Sequence, residues 1–386
     1  MNSIFEGFLS SAAAQDPFNQ FNFLAAMLRF EAALARAQAE VGLIPQASAQ
    51  SIVGTCKVDL FDVPKMVRES TGAGSIANPF IESLKDTVGL FNKEAAAFVH
   101  FGCSRQDLMD SAIARVTRDA LDLIEADLEG AVADLLALAA RHASDPVLEP
   151  GLLQARGVTS FGLACALWAE PLLRSRQRLQ THAASALNVQ WSGANTTLSQ
   201  GKGAQVLALM ATDLGLSASA TPSLAQRDQW LALACELGLL MANLGNMARD
   251  IALMAQQQVA ELGVAEASLD GCCLALAGAQ RTPQRIAAML TALSQESGRS
   301  IGDWQTALAE WPALLQSAHA SAHGMASTLS GLQVYPQRMR SNVDALRNAL
   351  PATVNKECFK PEWMLQAAAL AQRQVESLST MSESCS

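Results

Sequence analysis

The amino-acid sequence predicts an all-α protein built as an elongated helix bundle. Alanine, leucine and glutamine dominate the composition, only one tyrosine is present, and runs of β-branched residues are rare, which favours helix over strand. Over long segments the apolar residues recur in alternating steps of three and four, which places them on one face of a helix. The 386 residues, half of them apolar, are enough for two or three structural units with a sizeable core.

The first hundred residues predict a small N-terminal unit of short helices and turns. The segment FNFLAAMLRFEAALARAQAEVGLIP (21–45) has an amphipathic pattern that ends near Gly42 and Pro45, where glycine and proline stop a helix. We place this N-terminal helical unit at residues 1–104.

The sequence predicts three longer helices as the rods of a central bundle at residues 105–335. One runs from about Asp107 to His142, and a second runs from about 161 to 187 and should be kinked or broken at Pro171. The longest covers 221–262, about 60 Å at 1.5 Å per residue, which suits an elongated bundle that pairs with copies of itself. Its apolar stripe is Trp230, Leu233, Leu237, Leu240, Leu244, Met247, Ile251 and Met254, widened by Ala234, Met241, Ala248 and Ala255.

A further helix from Gly271 onward contains Pro283, and a truncated C-terminal helical segment follows at 336–386. The last ten residues have a composition typical of disorder.

Charge and cysteine usage narrow the function classes. The net charge of −9 comes without a basic stripe, which argues against nucleic-acid binding but permits a local cationic pocket. The eight cysteines lack C-x-x-C spacing and the N-terminus lacks a basic signal region, so we expect reduced thiols in the cytoplasm. Because Glu236 and Arg249 interrupt the longest apolar stretch, we expect no membrane span.

Six segments, in order and spacing, resemble the fumarase/aspartase superfamily and, within it, the bacterial 3-carboxy-cis,cis-muconate cycloisomerases. They are MLRFEAALARAQAEVGLIP (27–45), GAGSIANPFIESL (72–84), VHFGCSRQDLMDSA (99–112), LLQARGVTSFGLACALW (152–168), NMARDIALMAQQQVAE (246–261) and GLQVYPQRMRSNVD (331–344). The resemblance implies a homotetramer with five core helices from each subunit. It also implies active sites where three subunits meet, with no metal or cofactor.

The chemistry that the resemblance implies is closure of a carboxylated diene to a lactone, or loss of a group beside a carboxylate. Such a site must hold several carboxylates, which calls for Arg, Lys and backbone amides. It also needs one positioned acid or base.

Two of the three family signatures are altered in this chain. The mobile loop G-S-S-x-M-P-x-K-x-N is shortened, and Ser268 is the only hydroxyl left in it. Where cycloisomerases read L-Q-H-A-T-P, Ala155 replaces the histidine and Arg156 follows it. In the signature H-x-G-x-T-S-Q-D, the matching residues are His100, Gly102, Gln106 and Asp107, while Ser104 keeps a hydroxyl and Arg105 replaces the serine.

The resemblance therefore implies His100, Ser104 and Ser268 as catalytic candidates. The candidates for substrate binding are Arg105, Gln106, Asp107, Arg156, Lys202, Asn246 and Arg249.

Each of these candidates also has a structural interpretation. Ser104, Gln106 and Asp107 can cap the helix that follows them. The arginines at 105 and 156 either bind an altered polyanion or compensate a decayed site, for instance by pairing with Asp107 or Asp110. We interpret Arg249 and Asp250 as an inter-helix ion pair, and Lys202 either as an anion contact or as a solvated turn residue.

His319 and His323 stand four residues apart on a predicted helix, which is a metal-capable spacing. Since no acidic residue joins them in the H-E-x-x-H manner, we interpret them as surface histidines. The pair Cys272 and Cys273 lacks a histidine partner at a telling spacing. We therefore expect no metal and no cofactor.

The leading hypothesis for function is a 3-carboxy-cis,cis-muconate cycloisomerase-like protein with weakened or lost activity. One alternative is a non-catalytic homologue that assembles with an active paralogue or binds a small polycarboxylate. Another is a lyase that acts on a different dicarboxylate. As partners we expect the chain itself, as a homotetramer, or that paralogue.

Overall fold

The fold is described from a computed structural model, which covers residues 9–149, 157–218, 227–264, 266–293, 303–350, 359 and 361–384. These residues form fourteen α-helices, so the all-α prediction is confirmed. The helices are α1 Ala12–Gln15, α2 Gln20–Glu40, α3 Gln46–Thr55, α4 Val63–Ala73, α5 Ala77–Phe91, α6 Lys93–Ala96, α7 Arg105–Arg141, α8 Phe161–Ala186, α9 Gly203–Leu214, α10 Asp228–Met254, α11 Glu266–Ala292, α12 Asp303–Ser330, α13 Pro336–Ala349 and α14 Pro361–Ser384.

Three small two-stranded sheets join the loops between these helices. β1 (Pro146–Glu149) pairs antiparallel with β2 (Gly157–Ser160), and β3 (Asn188–Val189) pairs parallel with β4 (Ser217–Ala218). β5 (Leu262–Gly263) pairs antiparallel with β6 (Gln333–Val334).

Five long helices, α7, α8, α10, α11 and α12, pack side by side as the central bundle. The predicted apolar stripe of α10 forms its core, where Leu237, Leu240 and Leu244 are completely buried. Burial of such a stripe is the main source of helix stability in proteins, because an isolated helix of this length is only marginally stable in water.

The N-terminal residues form a second apolar core around α2. Asn19 caps α2 by accepting hydrogen bonds from the backbone N–H groups of Phe21 and Asn22. The helix ends at Glu40, close to the predicted stop at Gly42. Helix α9 packs against α2, so a segment that follows α8 in sequence contributes to this second core. The predicted division at 104/105 and 335/336 coincides with the starts of α7 and α13, and we keep it as a proposal.

Three features of the helices differ from the sequence-based expectations. The predicted helix 221–262 ends earlier, at Met254, and the chain turns before β5. Helix α8 runs without interruption through Pro171, so a break there is wrong. The predicted disorder of the last ten residues is also wrong as far as Ser384, because Leu378 is buried and Met381 packs against the bundle.

Helix α10 is long and apolar enough to cross a membrane by length and composition alone, although it contains Glu236 and Arg249. However, 56% of its apolar window is buried against other parts of the chain. This burial is typical of the core helix of a soluble protein.

One face of α10 is left open in the single chain. Ala234, Met241 and Ala248 widen the apolar stripe in the sequence, which suggests a face wider than one chain can cover, but the chain's own helices bury all three completely. These residues therefore do not support a tetramer. A different stripe remains exposed on α10, with steps of three and four: Cys235, Leu239, Ala242, Asn246, Arg249 and Leu253. We call it the open stripe of α10.

We expect the open stripe to be covered by other copies of the chain in a tetramer, because its Leu239 and Leu253 side chains are each 50% exposed. Light scattering at micromolar concentration should give about four times the mass of one chain. A Leu239→Glu variant should dissociate, because it places a charge in the interface. A monomeric wild type would contradict this assignment.

Close packing between α11 and α12 depends on Gly271. A Cβ at this position would collide with the carbonyl oxygen of Gly324 and the hydroxyl group of Thr328. We expect Gly271→Ala to lower the free energy of unfolding by about 1–3 kcal/mol, the usual cost of overpacking. The matched control is Gly130→Ala in α7, where a Cβ meets nothing within 4 Å. Thermal unfolding should show the control unchanged or stabilised by about 0.5–1 kcal/mol, and equal effects would refute the packing argument.

Candidate functional site

The turn that precedes α7 has an unusual backbone. His100 adopts a left-handed conformation with φ of 59°, and Gly102 follows with φ of 70°. This conformation costs a residue with a Cβ about 1–2 kcal/mol, so it persists only where other contacts hold it. The backbone N–H of His100 donates to Oε2 of Glu31 at 3.2 Å, which supplies such a contact.

The same glutamate also orients the imidazole of His100. Nδ1 of His100 lies 2.6 Å from Oε1 of Glu31, whose side chain is only 1% exposed. If Nδ1 donates its proton to this carboxylate, the lone pair of the neutral ring is on Nε2. Nε2 is buried and has no hydrogen-bond partner among the residues that the structure describes. The geometry therefore presents a fixed imidazole nitrogen that can exchange a proton or bind a polar group.

Ser104 and Asp107 form a capping box at the start of α7, so their predicted capping role is confirmed. The hydroxyl of Ser104 accepts from the N–H of Asp107 at 3.2 Å, and Oδ2 of Asp107 accepts from the N–H of Ser104 at 2.7 Å. The same oxygen accepts from the N–H of Ser192 at 3.0 Å and from its hydroxyl at 2.7 Å. Asp107 thus connects the loop at Ser192 to the start of α7, a contact that the sequence did not predict.

Buried polar atoms without a hydrogen-bond partner collect around this turn. Beside Nε2 of His100, they belong to residues of the turn or of segments that contact it: Gln38 Oε1, Gln106 Nε2, Asp107 Oδ1, Gln190 Oε1 and Trp191 Nε1. The amide of Gln38 donates to the carbonyl oxygen of Phe101, which fixes it against the turn. Such atoms are rare in folded proteins, and their grouping is typical of a site that receives a polar molecule.

The cation at position 105 lies outside this group. The guanidinium of Arg105 is exposed and donates to Oδ1 of Asn78 at 2.9 Å. Pairing of Arg105 with Asp107 or Asp110 is wrong: Asp107 is taken up by the capping box and Ser192, and the ion-pair partner of Asp110 is Arg227, at 2.6 Å. Burial raises the pKa of Asp110, although Arg227 opposes the shift.

The ammonium of Lys202 is also bound outside this group of atoms. Its ammonium donates to the carbonyl oxygen of Val41 at 2.6 Å, where it caps the C-terminal end of α2. Val41 follows Glu31 by ten residues, about 15 Å along a helix. The ammonium of Lys202 is thus bound ten residues beyond Glu31, and among the described residues no hydrogen bond joins it to His100.

The candidates on α10 face away from their own subunit. Asn246 and Arg249 are exposed members of the open stripe. Asp250 accepts a hydrogen bond from the indole N–H of Trp168 at 3.2 Å. Because neither Arg249 nor Asp250 forms an ion pair among the described residues, the predicted inter-helix pair is wrong.

Two further candidates, Arg156 and Ser268, are described only in part or not at all. Ala155 and Arg156 lie outside the described residues. Ser268 lies in the first turn of α11, and its side chain is outside the described part of the chain.

The segment between α10 and α11 is fixed by α13. Arg338 donates to the carbonyl oxygens of Val259 and Gln258, both at 3.0 Å. Asn342 donates to the Val259 carbonyl at 3.0 Å and to Oε1 of Glu261 at 2.9 Å. The chain then enters β5, and α11 begins three residues after the end of this strand. The described part of this link therefore consists of the turn after α10 and the short strand β5.

The thiols near the turn are not activated nucleophiles. Burial raises the pKa of Cys103 well above its ordinary value and raises the pKa of Cys56 to about 12. Both thiols therefore stay protonated at neutral pH.

His319 is buried, with 3% of its surface exposed, so its interpretation as a surface histidine is wrong. His323, one turn later on α12, has a side chain that is 57% exposed, as expected.

Comparison with known proteins adds the following matches. A family model described as lyase matches residues 10–271. The 3-carboxy-cis,cis-muconate cycloisomerase of Bradyrhizobium diazoefficiens is 34% identical over 368 residues, which cover 89% of this chain and 80% of that protein. The nitrosuccinate lyase of Streptomyces davaonensis is 30% identical over 348 residues, which cover 83% of this chain and 73% of that protein. The crystal structure of the 3-carboxy-cis,cis-muconate lactonizing enzyme from Pseudomonas putida superposes with a TM-score of 0.84 at 29% identity, covering 97% of this chain and 87% of that one.

Proposed function

We propose that this chain, which belongs to the fumarase/aspartase superfamily of lyases, is a 3-carboxy-cis,cis-muconate cycloisomerase-like protein. Its lactonising activity is weakened or lost. The observation that carries the proposal is the imidazole of His100, which Glu31 holds at 2.6 Å, while Nε2 has no hydrogen-bond partner in the described part of the chain.

The chemistry of lactonisation fits a positioned imidazole. One carboxylate oxygen of the substrate adds across a double bond, and a proton is delivered to carbon. A protonated imidazole can deliver that proton, or it can bind a carboxylate through Nε2–H. The carboxylate of Glu31 holds the ring in one orientation, so that Nε2 is directed to the same place in either role.

The weakening of activity rests on the link between α10 and α11. The family's serine loop would have to occupy this link, but here Arg338 and Asn342 hold its backbone carbonyls and β5 leads almost directly into α11. Ala155 also lacks the imidazole of the family signature. A positioned acid or base contributes about 10²–10⁴-fold to a rate, so the loss of both groups leaves little turnover.

The test is incubation of the purified protein with 3-carboxy-cis,cis-muconate while the absorbance of the conjugated diene is followed. We expect slow or no loss of the diene in the wild type. Any slow turnover should disappear in His100→Asn, which keeps a residue that tolerates the left-handed backbone. Turnover at the rate of an active cycloisomerase would refute the weakened state, and turnover unaffected by the variant would refute the role of His100.

A second candidate function is assembly with an active paralogue, favoured by the open stripe of α10, which carries Asn246 and Arg249 to a surface that another chain can cover. In family members whose sites lie between subunits, such a chain could still contribute binding residues. The partners we propose are therefore this chain itself, in a homotetramer, or that paralogue, in the cytoplasm. Co-expression with an active cycloisomerase and analysis of mixed oligomers would separate the two.

A third candidate is a lyase that acts on another dicarboxylate, favoured by the 30% identity to nitrosuccinate lyase. Incubation with nitrosuccinate, with detection of released nitrite, tests it directly. Absence of nitrite would remove this candidate.

A further inference from the structure

Three side chains from two helices converge beside the N-terminal segment, on residues that the proposed function does not use. Asp127 lies on α7, and His319 and His323 lie one turn apart on α12. One potential ligand atom from each of the three lies within 4.8 Å of the others. Nε2 of His319 is 3.3 Å from Oδ2 of Asp127, and Nδ1 of His323 is 3.1 Å from Oδ1 of the same carboxylate.

The group is oriented by contacts around it. The hydroxyl of Ser11 lies 3.2 Å from Nδ1 of His319 and can accept its proton, which leaves Nε2 as the nitrogen with a lone pair toward Asp127. This arrangement matches metal-binding histidines, whose second ring nitrogen is usually held by an oxygen. The rings of His319 and His323 are stacked, with centroids 5.7 Å apart and planes inclined by 10°.

One atom of the group has an unmet requirement. Oδ2 of Asp127 is buried, and none of the described residues forms a hydrogen bond with it, even though a ring nitrogen is close to it. A buried carboxylate oxygen without a partner is costly, and a cation shared with the neighbouring nitrogen would satisfy it.

The spacing and the donor set point to one class of ligand. Metal bonds of about 2.0–2.2 Å in a tetrahedral site place ligand atoms about 3.4 Å apart. The distances from the two ring nitrogens to the two carboxylate oxygens of Asp127, 3.3 and 3.1 Å, are close to this value. Two imidazoles with one carboxylate suit Zn²⁺ and similar transition metals better than Mg²⁺ or Ca²⁺, which prefer oxygen ligands.

We propose that Asp127, His319 and His323 form a binding site for one divalent transition-metal ion of the Zn²⁺ type. Solvent supplies the fourth ligand, because the side chain of His323 is 57% exposed. The ion joins α7 to α12 and, through Ser11, stabilises the attachment of the N-terminal segment. The sequence did not predict this site, because the carboxylate comes from a helix 196 residues before His323.

The test begins with full-length protein stripped by a chelator and dialysed. Zn²⁺ is titrated by calorimetry, and Co²⁺ is titrated in parallel with visible absorbance as a reporter of coordination geometry. We expect one equivalent per chain, a tetrahedral Co²⁺ spectrum and a higher melting temperature with Zn²⁺. His323→Ala should weaken binding at least tenfold, and Asp127→Asn should do the same. Ser11→Ala should weaken binding about tenfold, because the hydroxyl that orients the ring of His319 is lost.

The matched control is His182→Ala, which removes a histidine on α8 outside the group and should leave the affinity unchanged. His323 is exposed, so its variant should keep the fold, and circular dichroism checks this. Wild-type affinity in both His323→Ala and Asp127→Asn would overturn the proposal. Intense near-ultraviolet thiolate bands with Co²⁺ would also overturn it, because they would place the ion on cysteines such as Cys235 or Cys273.

Discussion

Replacement of Glu31 by alanine should lower the free energy of unfolding by about 3 kcal/mol or more. The variant leaves two buried donors of His100, the backbone N–H and Nδ1, without their acceptor, and hydrogen bonds to a charged group contribute about 1.5–3 kcal/mol each. It also removes the contacts that hold the left-handed backbone of His100. Urea unfolding at neutral pH measures the change.

The matched control lies on the same helix. Arg36 forms an ion pair with Asp213 at 2.6 Å, the same separation as in the Glu31 pair, but the two side chains are 49% and 36% exposed. Because solvent screens such a pair, Arg36→Ala should cost less than about 1 kcal/mol. If Glu31→Ala costs no more than Arg36→Ala, the buried pair does not hold the turn.

Asp107→Ala should have an effect of similar size, about 3–5 kcal/mol. The substitution removes the acceptor for the N–H of Ser104 and for two donors of Ser192, and each buried donor left unpaired costs about 1–3 kcal/mol. The N-cap hydroxyl of Ser104 stays in place in this variant, so the loss comes from the acceptor oxygen of Asp107. Urea unfolding again measures the loss.

Asp62 provides the comparison for Asp107, because it is an exposed N-cap residue that accepts one hydrogen bond, from Lys65. Asp62→Ala should therefore cost only about 1 kcal/mol. Equal losses in the two variants would mean that the contact between Asp107 and Ser192 adds nothing beyond ordinary capping.

The long helices could be predicted because their signals are local. The stripe that predicts a helix from about Asp107 to His142 corresponds to α7, and the capping pattern of Ser104 and Asp107 lies within four residues. The residues just beyond the end of α10 are bound by Arg338 and Asn342, which lie far along the chain, and the sequence could not predict these contacts. The sequence shows no helix breaker near Met254.

The partners of the candidate site were missed for the same reason. Glu31 lies 69 residues before His100, and Ser192 lies 85 residues after Asp107. One signal for Glu31 was available: it occupies a position of the apolar stripe of α2, in register with Leu24, Met27 and Leu28. A charged residue on a face destined for burial needs a partner. No comparable local signal marks Ser192.

The resemblance identified the turn at His100. It could not show which cationic side chains lie near this turn within one chain. Arg105 and Lys202 have partners of their own, Asn78 and the carbonyl of Val41. Arg156 lies outside the described residues. If active sites form between subunits, the cations that complete this one come from other copies of the chain.

The measurement that tests the account most directly is a thermal shift with 3-carboxy-cis,cis-muconate, with citrate and succinate in parallel. A ligand that binds only the folded state adds about 2.7 kcal/mol of stability at a hundredfold excess over its Kd, which raises the melting temperature visibly. We predict that the carboxymuconate stabilises the wild type and that the shift is lost in His100→Asn and reduced in Arg156→Ala. No shift at millimolar concentration, or an equal shift in His100→Asn, would contradict a polycarboxylate site at this turn.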